Sequence, residues 1–150
     1  MNLSPHFALA ELVASQTAER RRIDNIPTDV VLSNLYTLAD RLETVRGILG
    51  GLPMLISSGY RSQALNRALG GSITSAHMLG LAADFTCPGF GSPLDVCREL
   101  ARHADALDFD QIIHEGTWVH LGLAAPGKMP LRQVLTAHFN AGGTTYSRGL

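Results

Sequence analysis

The longest periodic run of apolar positions lies between residues 29 and 49. There Val31, Leu35, Leu38, Leu42, Val45 and Leu49 recur at steps of three or four, which makes them one stripe of a long helix. Thr28 stands where an N-cap belongs, and Gly50 and Gly51 stop the pattern. A shorter amphipathic segment over residues 7–15 offers Phe7, Leu9, Leu12 and Val13 to a core, before the polar stretch TAERRRIDN. After Pro53, residues 54–57 are short and apolar enough for a buried strand, which breaks at Ser58-Gly59. Ser62 can cap a brief helix running to Leu69, which Gly70-Gly71 ends.

Further along, residues 81–85 are small and apolar apart from Asp84 and read as a central strand. Ser92 followed by Pro93 opens a helix to about His103. Residues 110–114 and 117–123 read as an antiparallel hairpin turning around Glu115-Gly116. Residues 131–139 alternate between PG and GG turns and suit a strand or a helix. This order predicts an α+β fold, with helices packed on one small, mainly antiparallel sheet.

Composition narrows the picture. A chain of 150 residues, 45% hydrophobic and 17% charged, is expected to form a single domain over residues 1–150 around one core. A formal net charge of −1 leaves no basic face for phosphates, so no nucleic-acid partner is expected. Arg20, Arg21 and Arg22, followed by Asp24, read as a solvated turn or helix end. No stretch approaches the roughly 20 apolar residues of a membrane span. The start MNLSPHFALAELVAS lacks the features of a signal peptide, so synthesis in the cytoplasm is expected. Cys87 and Cys97 lack the CxxC spacing of a metal or redox motif and read as free thiols.

The segment SSGYRSQALNRALGGSITSAHMLGLAADF, residues 57–85, is spelled unlike a core element. His77, Asp84 and His120 could form a three-ligand zinc site, because imidazole and carboxylate suit zinc and a fourth position left to water makes such a site catalytic. Seven extended residues would separate His77 from Asp84 by about 23 Å, and two helical turns by about 10.5 Å. The chain is therefore expected to fold back between them, with Gly80 permitting the turn. In TWVHLGL, Trp118, His120 and Gly122 share one side of a strand and Val119, Leu121 and Leu123 the other. The apolar side faces the core, which leaves His120 beside a cleft. A hydrogen-bonded structural histidine is the alternative reading of each imidazole, and His6, His103 and His138 are read that way or as surface residues.

SGYRS at 58–62, LN at 65–66, GG at 70–71, SAHMLGLAAD at 75–84 and WVH at 118–120 together resemble the M15 zinc peptidases. The resemblance is closest to their branch of bacterial zinc D-alanyl-D-alanine carboxypeptidases and phage endolysins, whose signature is S-x-H-x-x-G-x-A-x-D followed by a later histidine. It implies a hedgehog/D-Ala-D-Ala peptidase-like fold with the zinc site at the sheet edge, and one zinc ion per chain on His77, Asp84 and His120. It further implies that Arg61 holds the scissile carbonyl oxygen as negative charge develops and that Ser75 hydrogen-bonds substrate, unless it is a turn or cap serine.

Family members place an acidic residue shortly before the second histidine, which makes Glu115 the general base. Some relatives have a tighter spacing, and Asp110 and His114 are the fallbacks. His114 is also an alternative ligand, and Asp108 reads as a solvated loop acid. Tyr60 reads as a substrate contact or a core residue, and Trp118 as a cleft wall, a packed aromatic or both. The implied activity is hydrolysis of peptidoglycan stem peptides, at D-Ala-D-Ala or at L-Ala-D-Glu, by a monomer of phage or prophage origin that reaches the cell wall after holin-mediated release. A non-catalytic zinc-stabilised wall-binding or phage structural module is the alternative.

Overall fold

The computed structural model of the chain describes all residues, 1–150. Two short helices, α1 (Leu9–Val13) and α2 (Gln16–Arg21), precede the long helix α3 (Asp29–Ile48). Ser15 caps α2, and Arg22 closes it in the left-handed conformation, so the arginine run is a helix end. Thr28 caps α3 by accepting the Val31 N–H, and the whole stripe from Val31 to Leu49 is buried. Strand β1 (Leu55–Ser58), helix α4 (Gln63–Ala68) capped by Ser62, and a 3-10 turn at Ala76–Leu79 follow. Strand β2 (Ala82–Thr86) leads to α5 (Pro93–Ala101), where Ser92 and Asp95 form a capping box.

The helix expected to reach His103 breaks at Arg102, and a separate turn, α6 (Ala104–Leu107), completes the segment. Its last carbonyls, on Leu107 and Asp108, receive Arg41 of α3. The expected hairpin is present as β3 (Gln111–His114) and β4 (Val119–Gly122). The ambiguous segment is a strand, β5 (Gln133–Asn140), which turns into an unforeseen strand, β6 (Gly143–Arg148).

The six strands form one sheet in the order β1-β2-β4-β3-β5-β6. Every pairing is antiparallel except β3 with β5, which is parallel. The fold is thus α+β with a mostly antiparallel sheet, as expected in class. Phe85, Val119, Leu121 and Ile112 share one face, are fully buried, and belong to the core cluster that also holds the α3 stripe and Val96, Cys97 and Leu100 of α5. Both cysteines are free and buried, and burial pushes the Cys97 thiol up to about 12. No helix is long and apolar enough to cross a membrane.

Candidate metal centre

Three elements converge on the sheet face opposite the core. Asp84 in β2 stands directly across from His120 in β4, so the two side chains rise from the same face. The third member, His77, comes from the 3-10 turn, which Ser75 opens and Gly80 closes. Gly80 sits at φ +70, and a Cβ there would stand 2.9 Å from Val31 and 3.1 Å from Leu35, so the turn can clamp onto α3 only with glycine at this position. The fold-back expected between His77 and Asp84 is this turn. The cluster lies over β2 and β4, one strand in from the β1 border, which corrects its expected place at the sheet edge.

The donor atoms of His77, Asp84 and His120 all lie within 4.8 Å of one another. Asp84 Oδ1 is 3.3 Å from His77 Nε2 and 2.9 Å from His120 Nδ1. Two ligand atoms each about 2.0–2.1 Å from a tetrahedral zinc ion are separated by roughly 3.3 Å. The donor set and its spacing therefore fit a zinc ion. The tautomer of His77 fits as well. Its Nδ1 lies 2.7 Å from the Gly59 carbonyl, which can only accept, so Nδ1 carries a proton and Nε2 is the atom turned to the cluster, where a bound zinc ion would take its lone pair. Burial alone would raise the Asp84 carboxyl, but hydrogen bonds from His120 and His77 and their charges hold it well below the usual carboxylate range.

Gly59, which the sequence marks only as a strand break within the SGYRS stretch, also has a place at this centre. A Cβ at this position would stand 2.3 Å from the Leu12 carbonyl oxygen, so β1 can pass α1 this closely only as glycine. The next amide, of Tyr60, donates to that same carbonyl. Asn25 then ties the chain down, donating to the Val13 and Tyr60 carbonyls and accepting from the Ser62 N–H. These bonds hold Arg61 in place between them.

Arg61 reaches the cluster with Nη2 3.4 Å from Asp84 Oδ2, while its Nε donates to Ser58 Oγ and its backbone N–H to the His77 carbonyl. A bulge between Ile56 and Ser58 sets Ser58 opposite Asp84. Ser58 is a second such residue, marked in the sequence only at the same strand break. Burial lowers the Arg61 pKa and the charges of Asp84 and Glu115 oppose that, and the guanidinium remains a cation at neutral pH.

Glu115 lies in the β3–β4 turn, where its N–H donates to the Trp118 carbonyl and Gly116 takes φ +81. This is the turn placement that lets the carboxylate curl toward the cluster. Burial raises its pKa, as does the charge of Asp84, while the charges of His120 and Arg61 act in the opposite direction.

The remaining expectations sort by strand register. His114 stands opposite Val119, on the core side of the sheet and away from the metal cluster. Asp110 accepts the Leu131 N–H before β3 begins. Asp108 is not merely a solvated acid: it caps α6 with φ 45 and pairs with Arg132 at 2.9 Å. His6, His103 and His138 bond Glu43, the Glu99 carbonyl and Ser147, respectively. Ser75 is a cap, accepting the His77 N–H at 3.3 Å, and its hydroxyl proton remains for another partner. Tyr60 is buried in the core cluster and touches a cavity of about 530 Å³ that Ser58 and Arg61 also line. Trp118 is half-buried, with its ring 6.3 Å from that of Phe139 in β5.

No curated protein matches the chain. The family model described as Peptidase M15 matches residues 5–122, a span that contains every member of the cluster together with Arg61 and Glu115. By that match over well more than half of its length, the chain belongs to the Peptidase M15 family of zinc-dependent peptidases.

Proposed function

We propose that the protein is a zinc peptidase that hydrolyses the stem peptides of bacterial peptidoglycan, as a D-alanyl-D-alanine carboxypeptidase or an L-Ala-D-Glu endopeptidase of the endolysin type. The observation that carries the reading is the convergence of His77 Nε2, Asp84 Oδ1 and His120 Nδ1, with Arg61 and Glu115 on the same centre. A zinc ion held by those three atoms supplies Lewis acidity toward a carbonyl and makes water a nucleophile near neutral pH. Residues of the chain do the rest.

Glu115 takes a proton from the attacking water onto its carboxylate and returns it to the departing amine nitrogen, a role that suits a carboxylate whose pKa burial raises. Arg61 faces the carbonyl oxygen with a guanidinium already oriented by Ser58 and Asp84, so no reorganisation is needed as negative charge develops. Gly59 keeps His77 in its ligating tautomer. Ser75 offers its free hydroxyl proton to the substrate, and Tyr60 and Trp118 flank the binding surface. The chain acts as one domain and as a monomer, on the cell wall, in a phage or prophage setting.

Mass spectrometry of muropeptides incubated with the protein, with and without a chelator, tests the reading. Chelator-sensitive loss of a terminal alanine identifies the carboxypeptidase. Release of the peptide beyond its first alanine identifies the endopeptidase. Unchanged muropeptides in the presence of protein with stoichiometric zinc would sink the reading.

A further inference from the structure

The family match ends at residue 122, yet the sheet continues for two more strands. Strand register shows which side those strands present. Asp84 is paired with His120, His120 with Ile113, Ile113 with Leu135, and Leu135 with Arg148. Directly paired residues share a face and alternate residues return to it, so Ala137, Phe139 and Tyr146 rise on the same face as the metal ligands. The opposite face of the hairpin carries Thr136, His138, Thr145 and Ser147. Val134, at the start of β5, faces the core and packs against it, but the aromatic side chains of the hairpin are on the open, metal-bearing face, where Phe139 and Tyr146 are 57% and 53% exposed.

Two contacts bring this surface to the chemistry. Phe139 packs on Trp118, and a Cβ at Gly116 would stand 3.7 Å from Phe139 Cε2, so the ring lies against the turn that carries Glu115. Tyr146, paired with Ala137, rises on that same face from the neighbouring strand, and burial and the negative charges of Glu115 and Asp84 raise the pKa of its phenol. A neutral phenol is a hydrogen-bond donor with a flat apolar body.

We propose that the β5–β6 hairpin is a substrate-binding wall of the metal cleft, in which Tyr146 hydrogen-bonds the peptide backbone beside the scissile amide and Phe139 covers its alanyl side chains. The proposal rests on the stem-peptide reading above. Its occupant is the substrate itself, because the surface is continuous with the ligand-bearing face and in contact with the turn of the general base. Phe139 has a second effect as a positioning residue: it backs Gly116 and thereby limits where Glu115 can swing.

The test uses zinc-loaded full-length protein carrying Glu115→Gln, so that substrate binds without turning over. Disaccharide-peptide fragments from muramidase-digested peptidoglycan are titrated in, and fluorescence of Trp118, the one tryptophan of the chain, reports binding. Adding Tyr146→Ala or Phe139→Ala is expected to weaken binding about five- to tenfold, with zinc content and melting temperature unchanged, and Tyr146→Phe should recover part of the loss. In the active background, Tyr146→Ala should raise KM more than it lowers kcat. Cleavage by the wild-type chain combined with binding by both alanine variants within twofold of their parent overturns the proposal alone. If the wild-type chain cleaves no muropeptide, the stem-peptide reading falls and the proposal falls with it.

Discussion

The body that carries the His77, Asp84 and His120 cluster and the C-terminal hairpin belong to one sheet but are held by different forces. In the body, strands β2 and β4 bury nearly every side chain, and their core face is closed by α3 and α5. In the hairpin, β6 is exposed along its whole length, and β5 is buried only at Ala137. What joins the hairpin to the body is a backbone ladder with β3, the bond from Gln133 N–H to the Asp110 carbonyl, the packing of Val134 against the core, and the contact of the Phe139 and Trp118 rings. The difference teaches that strands can be added to a sheet for what their open face presents, with little hydrophobic burial to hold them.

Substitutions should expose that division of labour. The largest effect belongs to the ligands: His77→Ala or Asp84→Ala should abolish stoichiometric zinc binding, measured by elemental analysis, and lower turnover by more than about a thousandfold. Next comes Glu115→Gln, expected to cost about 10²–10⁴ in kcat while zinc stays bound. The base works only when deprotonated, so kcat/KM should fall as pH drops through the raised Glu115 pKa, and that acidic limb should vanish in the Gln variant. A pH profile whose acidic limb survives Glu115→Gln would assign the base elsewhere.

Stability measurements sharpen the contrast from the other side. Leu35→Ala removes a fully buried member of the α3 stripe and should cost about 3–5 kcal/mol in denaturant unfolding. Phe139→Ala, in the hairpin, should stay within about 0.5 kcal/mol in the same assay, because its ring is mostly exposed. A loss above 2 kcal/mol there would mean that the hairpin is structural. Between these extremes, Thr28→Ala should cost about 1 kcal/mol through the lost cap on α3.

The parts of the fold that were legible are those whose cause is local. The α3 stripe, the caps Thr28, Ser62 and Ser92, and the β3–β4 hairpin each follow from residues a few positions apart. Strand β6, GTTYSR, escaped notice because an exposed strand keeps no apolar run, and its single large side chain, Tyr146, says nothing alone. The parallel pairing of β3 with β5 is set by packing across a 22-residue separation, which no local pattern records. At the centre, residue type and spacing pointed to His77, Asp84 and His120, whereas Gly59, which orients His77, and Ser58, which orients Arg61, are visible only once the chain around β1 is folded beside β2. A glycine in a turn-like stretch reads as flexibility, but this one marks a close approach.

The peptide bond at Gly59 also makes the N-terminal arm answerable to the metal. Its carbonyl fixes His77, and its Cα lies against Leu12, whose own carbonyl takes the neighbouring amide. Linkage runs both ways: an arm that docks more tightly sharpens the site, and an ion that binds tightens the arm. Affinity for zinc thus becomes a gauge of how residues 1–15 are seated, and a fusion tag or trimmed start that disturbs them would register first as a weakened metal and only later as a lost fold.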